Sequence, residues 1–98
     1  MDLKFNFEYA ILPNFISENE KLNSTEKILM AIIFSLSLKR NECFASNEYL
    51  SKRTNVSKRT ITSSLAKLKR ENLIRIEVIN NQRKIYLSDD TRRKLLGV

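Results

Sequence analysis

The chain has 98 residues, 18 Lys and Arg against 11 Asp and Glu for a net charge of +7, no histidine, one cysteine, one glycine and one proline. That length suits one domain spanning 1–98, and the 42% apolar content is enough for a core. With no histidine, Cys43 alone and Gly97 the sole glycine, no zinc site, disulfide framework, Cys/His nucleophile or Gly-rich phosphate loop can be written, so neither metal nor cofactor is expected; the positive excess asks instead for a polyanion, nucleic acid or an anionic membrane.

Residues 1–22 read as an amino-terminal arm. Met1 to Asn6 lack the basic and apolar regions of a secretory signal. Phe5, Phe7, Tyr9 and Ile11 alternate with polar or small residues, the period of an extended segment with one buried face. Packing against a core is favoured over a base-stacking platform, because RNA-binding sheets bring four strands and glycine-bearing motifs absent here. Pro13 ends the segment.

Asn23 followed by Glu26 has the spacing of a capping box opening a helix. Ile28, Leu29, Ile32, Ile33 and Leu36 then recur at helical spacing to about Leu38, and Lys39-Arg40 suit the negative end of the dipole. The apolar run from Ile28 to Leu38 is far short of the roughly 20 residues a bilayer span needs, so no membrane partner is expected and the helix is a central core element. Asn41 to Ala45 form a connector with room for a brief strand. Cys43 reads as a small buried hydrophobe, and an unpaired cysteine suits the cytoplasm.

Charge divides sharply at this point. Residues 1–46 carry five bases and six acids, a net of −1, whereas residues 47–98 carry thirteen bases and five acids, a net of +8. Ser46 caps a second helix with Tyr49 and Leu50 inward and Lys52 and Arg53 outward, ending at Thr54. Asn55 suits a left-handed turn with Val56 as its apolar plug. Ser57 caps a third helix from Lys58 to Glu71 or Asn72. At about 100° per residue, Ile61, Leu65 and Leu68 form its buried stripe. Arg59, Ser63, Ala66 and Arg70 lie opposite, flanked by Thr62 and Lys67. Small residues at the centre of that face admit close approach to a major groove, while Arg and Thr reach base edges and phosphates.

The run Ser46 to Ile61 resembles the helix-turn-helix of winged-helix domains in plasmid and phage replication initiators. In that family Leu-Ala-Lys-Arg-Thr-Gly-Leu-Ser-Arg-Arg-Thr-Val recurs; Leu50 to Ile61 here differs mildly, with Asn55 for glycine and Lys58 for arginine. Ser63 stands where the family often has a longer polar or basic side chain. Leu65 to Ile74 is similar to the family's Leu-x-x-Leu-x-x-x-Gly-Leu-Ile, with Asn72 in the glycine place as helix cap. The resemblance spans about residues 20 to 88. In size and character the chain also resembles the TcpK-like origin-of-transfer binding proteins of clostridial conjugative plasmids. The implied fold is α+β: a winged helix-turn-helix with a three-helix core, a two- or three-stranded β-wing, an extended amino-terminal arm and a short carboxy-terminal helix.

The wing, residues 73–88, follows from the sequence. A two-residue turn at Asn80-Asn81 pairs Ile74 with Leu87, Ile76 with Ile85, Glu77 with Lys84 and Val78 with Arg83. Asn80, Asn81, Gln82, Arg83 and Lys84 then make a polar, basic tip suited to phosphates or a minor groove. Ser88 or Asp89 caps a last helix within 89–97, carrying Arg92, Arg93 and Lys94 outside and Leu95 and Leu96 as apolar residues. Three roles stay open for it: finishing the core, touching phosphate, or binding a second subunit.

The expected function is sequence-specific binding of double-stranded DNA, with no enzymatic activity and no small-molecule ligand. Lys58, Arg59, Thr60, Thr62, Ser63, Lys67 and Arg70 are the candidate reading residues of the recognition helix, and 80–84 those of the wing. Ser46, Lys52, Arg53 and Ser57 are candidate contacts to the DNA backbone. Ile, Asn and Lys each occur ten times in 98 residues; their AT-rich codons point to a low-GC bacterial source and AT-rich target sites, and two bound copies would go with repeated half-sites. The resemblance implies an accessory role at a plasmid transfer or replication origin, beside a relaxase or replication enzyme, with a homodimer or paired copies on DNA. A small transcriptional regulator is the alternative. A winged-helix protein–protein module is a further reading, against which Arg59, Lys67, Arg70 and Arg83 argue.

Overall fold

The computed structural model describes residues 12–37 and 42–96. The alternation from Phe5 to Ile11 and the pair Lys39-Arg40 lie outside them. In chain order come α1 (Asn14–Ser17), α2 (Ser24–Ser37), α3 (Asn47–Thr54), α4 (Lys58–Arg70), β1 (Ile74–Ile79), β2 (Gln82–Leu87) and α5 (Asp89–Leu96).

The arm is not extended throughout. Residues 14–17 form a helical turn behind Pro13, whose φ of −58° and ψ of 149° make it the N-cap. A proline's fixed φ and missing N–H cost little there. The turn tucks Ile16 into the core, with Phe15 packed at its rim. The capping box at α2 forms as expected: Glu26 N–H donates to Asn23 Oδ1 at 2.8 Å, and Asn23 N–H donates to Glu26 Oε1 at 2.9 Å. Leu29, Met30, Ile32 and Ile33 are buried. Ile28, expected inside, is 49% exposed; about 100° from Leu29 around the helix, it falls at the stripe's edge. No helix among the described residues is long and apolar enough to cross a membrane.

Around α2 pack Leu50 of α3, Ile61, Leu65 and Leu68 of α4, and Ile74, Ile85 and Leu87 of the hairpin, all buried. Such side chains contribute roughly 2 kcal/mol each before chain entropy is counted. Tyr49, also expected inside, is exposed, because the eight-residue α3 buries a single face through Leu50.

The hairpin has the expected register, Ile74↔Leu87, Ile76↔Ile85, Glu77↔Lys84 and Val78↔Arg83. Its turn residues Asn80 and Asn81 have φ of 54° and 63°, the left-handed pair a type I′ turn requires. The brief strand in the connector is a single bridge: Cys43 and Ile85 exchange two backbone hydrogen bonds of 2.8 Å. Cys43 is buried, and burial pushes its thiol pKa up. Ser88 caps α5, its Oγ accepting from Thr91 N–H at 3.1 Å. Leu95 packs against the core, which decides that residue's role: it finishes the core.

Candidate nucleic-acid interface

Two caps and one left-handed turn set the geometry of α3 and α4. Ser46 Oγ accepts from Tyr49 N–H at 3.0 Å and Ser57 Oγ from Thr60 N–H at 3.1 Å. Asn55 turns the chain between them at φ 60° and ψ 36°, its N–H bonded back to Ser51 O. Ser51 Oγ donates to Val56 O, closing the turn from the other side. Ser46 and Ser57, expected at the DNA backbone, are thus engaged as caps first; both stay exposed.

Burying Ile61, Ser64, Leu65 and Leu68 turns the opposite side of α4 outward. Arg59, Thr62, Ser63, Ala66, Lys69 and Arg70 are exposed there. No acid lies in the first turn, while Lys58 and Arg59 do. Cations at a helix's positive end are unfavourable by about 0.3–1 kcal/mol each, a cost that an anion laid across them would reverse. Among the described residues, Lys58, Arg59, Lys69 and Arg70 have no carboxylate partner. Lys69 was absent from the expected set. The helical period places it beside Thr62 and Lys58, so a full projection of the helix finds it.

Other expected contacts turn inward. Lys67 is half-buried, 3.4 Å from the buried Glu26 carboxylate and donating to Lys21 O at 2.5 Å, so it clasps α4 to the start of α2. Arg83 is half-buried as well: Nη1 donates to Asn47 Oδ1 at 2.6 Å and Nη2 to Ala45 O at 2.5 Å. Burial lowers its pKa, though a guanidinium stays charged throughout the working range. Lys84 stands 4.0 Å from Glu42 and over the Phe44 ring. Lys52 makes only a loose 3.8 Å pair with Glu48, both exposed, which is worth little. Arg53 is exposed and Thr60 partly buried against Ser57. At the wing tip, Asn80, Asn81 and Gln82 are exposed, joined by Val78 at 68% and Ile79 at 47%. The expected polar tip therefore carries an apolar shoulder. A basic, small-residue helix face with a protruding hairpin beside it can dock on a grooved polyanion.

Residues 20–74 match the model of a family described as a helix-turn-helix domain. The chain belongs to that helix-turn-helix family. Its fold is the α+β winged form, similar to two solved structures. The N-terminal domain of a DNA binding protein aligns over 100% of this chain and 98% of its own, at 22% identity and a TM-score of 0.62. The transcriptional regulator BldR from Sulfolobus solfataricus aligns over 86% of this chain at 21% identity and a TM-score of 0.56. The alignment covers 58% of that regulator's chain. At such identities the likeness is one of fold. No curated protein matches the sequence.

Proposed function

We propose that this helix-turn-helix protein binds double-stranded DNA sequence-specifically, with α4 in a major groove and the wing tip against the adjoining minor groove or phosphates. The observation that carries the reading is the set Lys58, Arg59, Lys69 and Arg70, exposed along α4 with no carboxylate partner among the described residues. Between them Thr62, Ser63 and Ala66 leave room for the backbone to approach base edges. Thr62 and Ser63 supply short polar contacts to base edges, and the four cations flank them. The protein carries out no chemistry on the polymer and takes no cofactor or small-molecule ligand.

Its place is that of an accessory at a transfer or replication origin of a bacterial mobile element, as the replication-initiator and TcpK-like resemblances suggest. The targets are AT-rich and repeated, two copies sit together on them, and a relaxase or replication enzyme is the protein partner. A transcriptional regulator at a promoter operator is the second reading, favoured by the fold likeness to BldR. Footprinting across the DNA that flanks the gene separates them. Protection at a transfer or replication origin supports the first, and protection overlapping a promoter supports the second. No preference for any duplex over random competitor refutes both.

A further inference from the structure

Asn47 opens α3 and lies in neither α4 nor the wing, yet it joins them. Its Oδ1 accepts from Arg83 Nη1 of β2 at 2.6 Å, and its Nδ2 donates to Thr62 Oγ1 of α4 at 3.1 Å. Each partner is anchored in turn. Arg83 Nη2 donates to Ala45 O at 2.5 Å, and Thr62 Oγ1 donates to Lys58 O at 3.0 Å. A continuous hydrogen-bonded chain therefore runs from the wing, across the start of α3, to the first turn of α4.

Asn47 has little freedom to drift, because the adjacent Ser46 cap fixes the backbone there. A primary amide is the group this junction needs: one planar unit offers an accepting oxygen to the guanidinium and a donating nitrogen to the hydroxyl. The wing has few other ties near its tip. Residues 77–82 are exposed, and Arg83 is the side chain nearest the turn that reaches the body of the domain.

We propose that Asn47 is a positioning residue that sets the angle between wing and α4, and so governs discrimination among DNA sequences without touching DNA. The inference rests on the DNA-binding reading. It has a signature that direct contact lacks. Asn47 is uncharged, so its loss leaves the number of neutralised phosphates unchanged. A phosphate contact by Arg83 would instead show as a decrease of about 0.9 in the log–log salt slope on its removal.

The probe is a duplex enriched by the wild-type chain from a randomised library, set against sheared random-sequence DNA. Asn47→Ala should lower the ratio of selected to random affinity by about tenfold to a hundredfold, the worth of one charge-assisted hydrogen bond, at an unchanged salt slope. Asn47→Asp, which keeps the limb to Arg83 and loses the donor to Thr62, should fall between. The double variant Asn47→Ala/Arg83→Ala should lose no more than the worse single variant. An unchanged ratio in Asn47→Ala, or additive losses in the double variant, overturns the proposal. A second measurement needs no DNA: amide shifts of Thr62 and Lys84 in the free protein should both move in Asn47→Ala. If they stay in place, Asn47 couples nothing and the proposal falls even where DNA binding stands. If the wild type enriches no duplex, the DNA-binding reading fails, and the role in discrimination with it, while the shifts still decide the coupling.

Discussion

Phosphate contact along α4 can be counted by salt. Each cation that neutralises a phosphate adds about −0.9 to the slope of log affinity against log salt on duplex DNA. Lys58, Arg59, Lys69 and Arg70 are exposed and lack carboxylate partners among the described residues, so if each meets a phosphate as proposed, α4 should contribute a slope of about −3.6. A fourfold rise in salt then weakens binding roughly 150-fold through α4 alone. Replacing Lys69 and Arg70 by Ala should bring its share to about −1.8, a loss of roughly twelvefold over the same interval. Lys67→Ala is the contrast. Its ammonium is already held by Glu26 and Lys21 O, so the slope should move by less than half a contact, about 0.4 or below. Fluorescence anisotropy of a labelled duplex, titrated at several potassium chloride concentrations, reads both numbers. A double variant with the wild-type slope, or a Lys67→Ala slope reduced by a full contact, would refute the division of cations between the two tasks.

Three further predictions concern the scaffold. Leu68→Ala, at a fully buried position, should destabilise the domain by about 3 kcal/mol in urea unfolding through lost transfer energy and a residual cavity. Asn55→Ala, which places a Cβ without a local hydrogen-bonding amide at φ 60°, should cost about 1 kcal/mol in the same assay, with Asn55→Gly within a few tenths of wild type. Burial raises the Cys43 pKa in the folded state. Its contribution is therefore full below the ordinary thiol pKa of about 8.5 and declines as pH rises above it. Melting curves from pH 7 to 10 should accordingly fall less steeply in Cys43→Ala than in wild type, and parallel curves would rule the thiol out.

Patterns of local origin were legible in the sequence to the residue. The hairpin register follows because one turn, one period of two and the Glu77–Lys84 pair all demand the same alignment. The caps at Asn23, Ser46 and Ser57 follow because each satisfies a neighbouring orphan N–H. The destinations of long cations were not legible in that way. Arg83 was expected at DNA, yet strand parity already held the clue: it shares a face of β2 with Ile85 and Leu87, both buried, so it points toward the body. Lys67 offered less. It lies at the boundary of the α4 stripe, and only the fold brings the cap carboxylate of Glu26 within reach. The α1 turn was missed because four residues after a proline leave almost no periodic signal.

Among the described residues, four positions have positive φ, Asn55, Asn72, Asn80 and Asn81, and none is glycine. Together they hold the joint between α3 and α4, the exit from α4 and the tip of the wing. An asparagine tolerates this conformation but explores far less of backbone space than glycine does. The joints that aim α4 and the wing are thus stiff, and much of the ordering that docking would otherwise demand is already completed when the chain folds. On the proposed function, such a protein would select by fit to a shape fixed in advance, and a duplex of the wrong groove width would meet a surface with little capacity to yield.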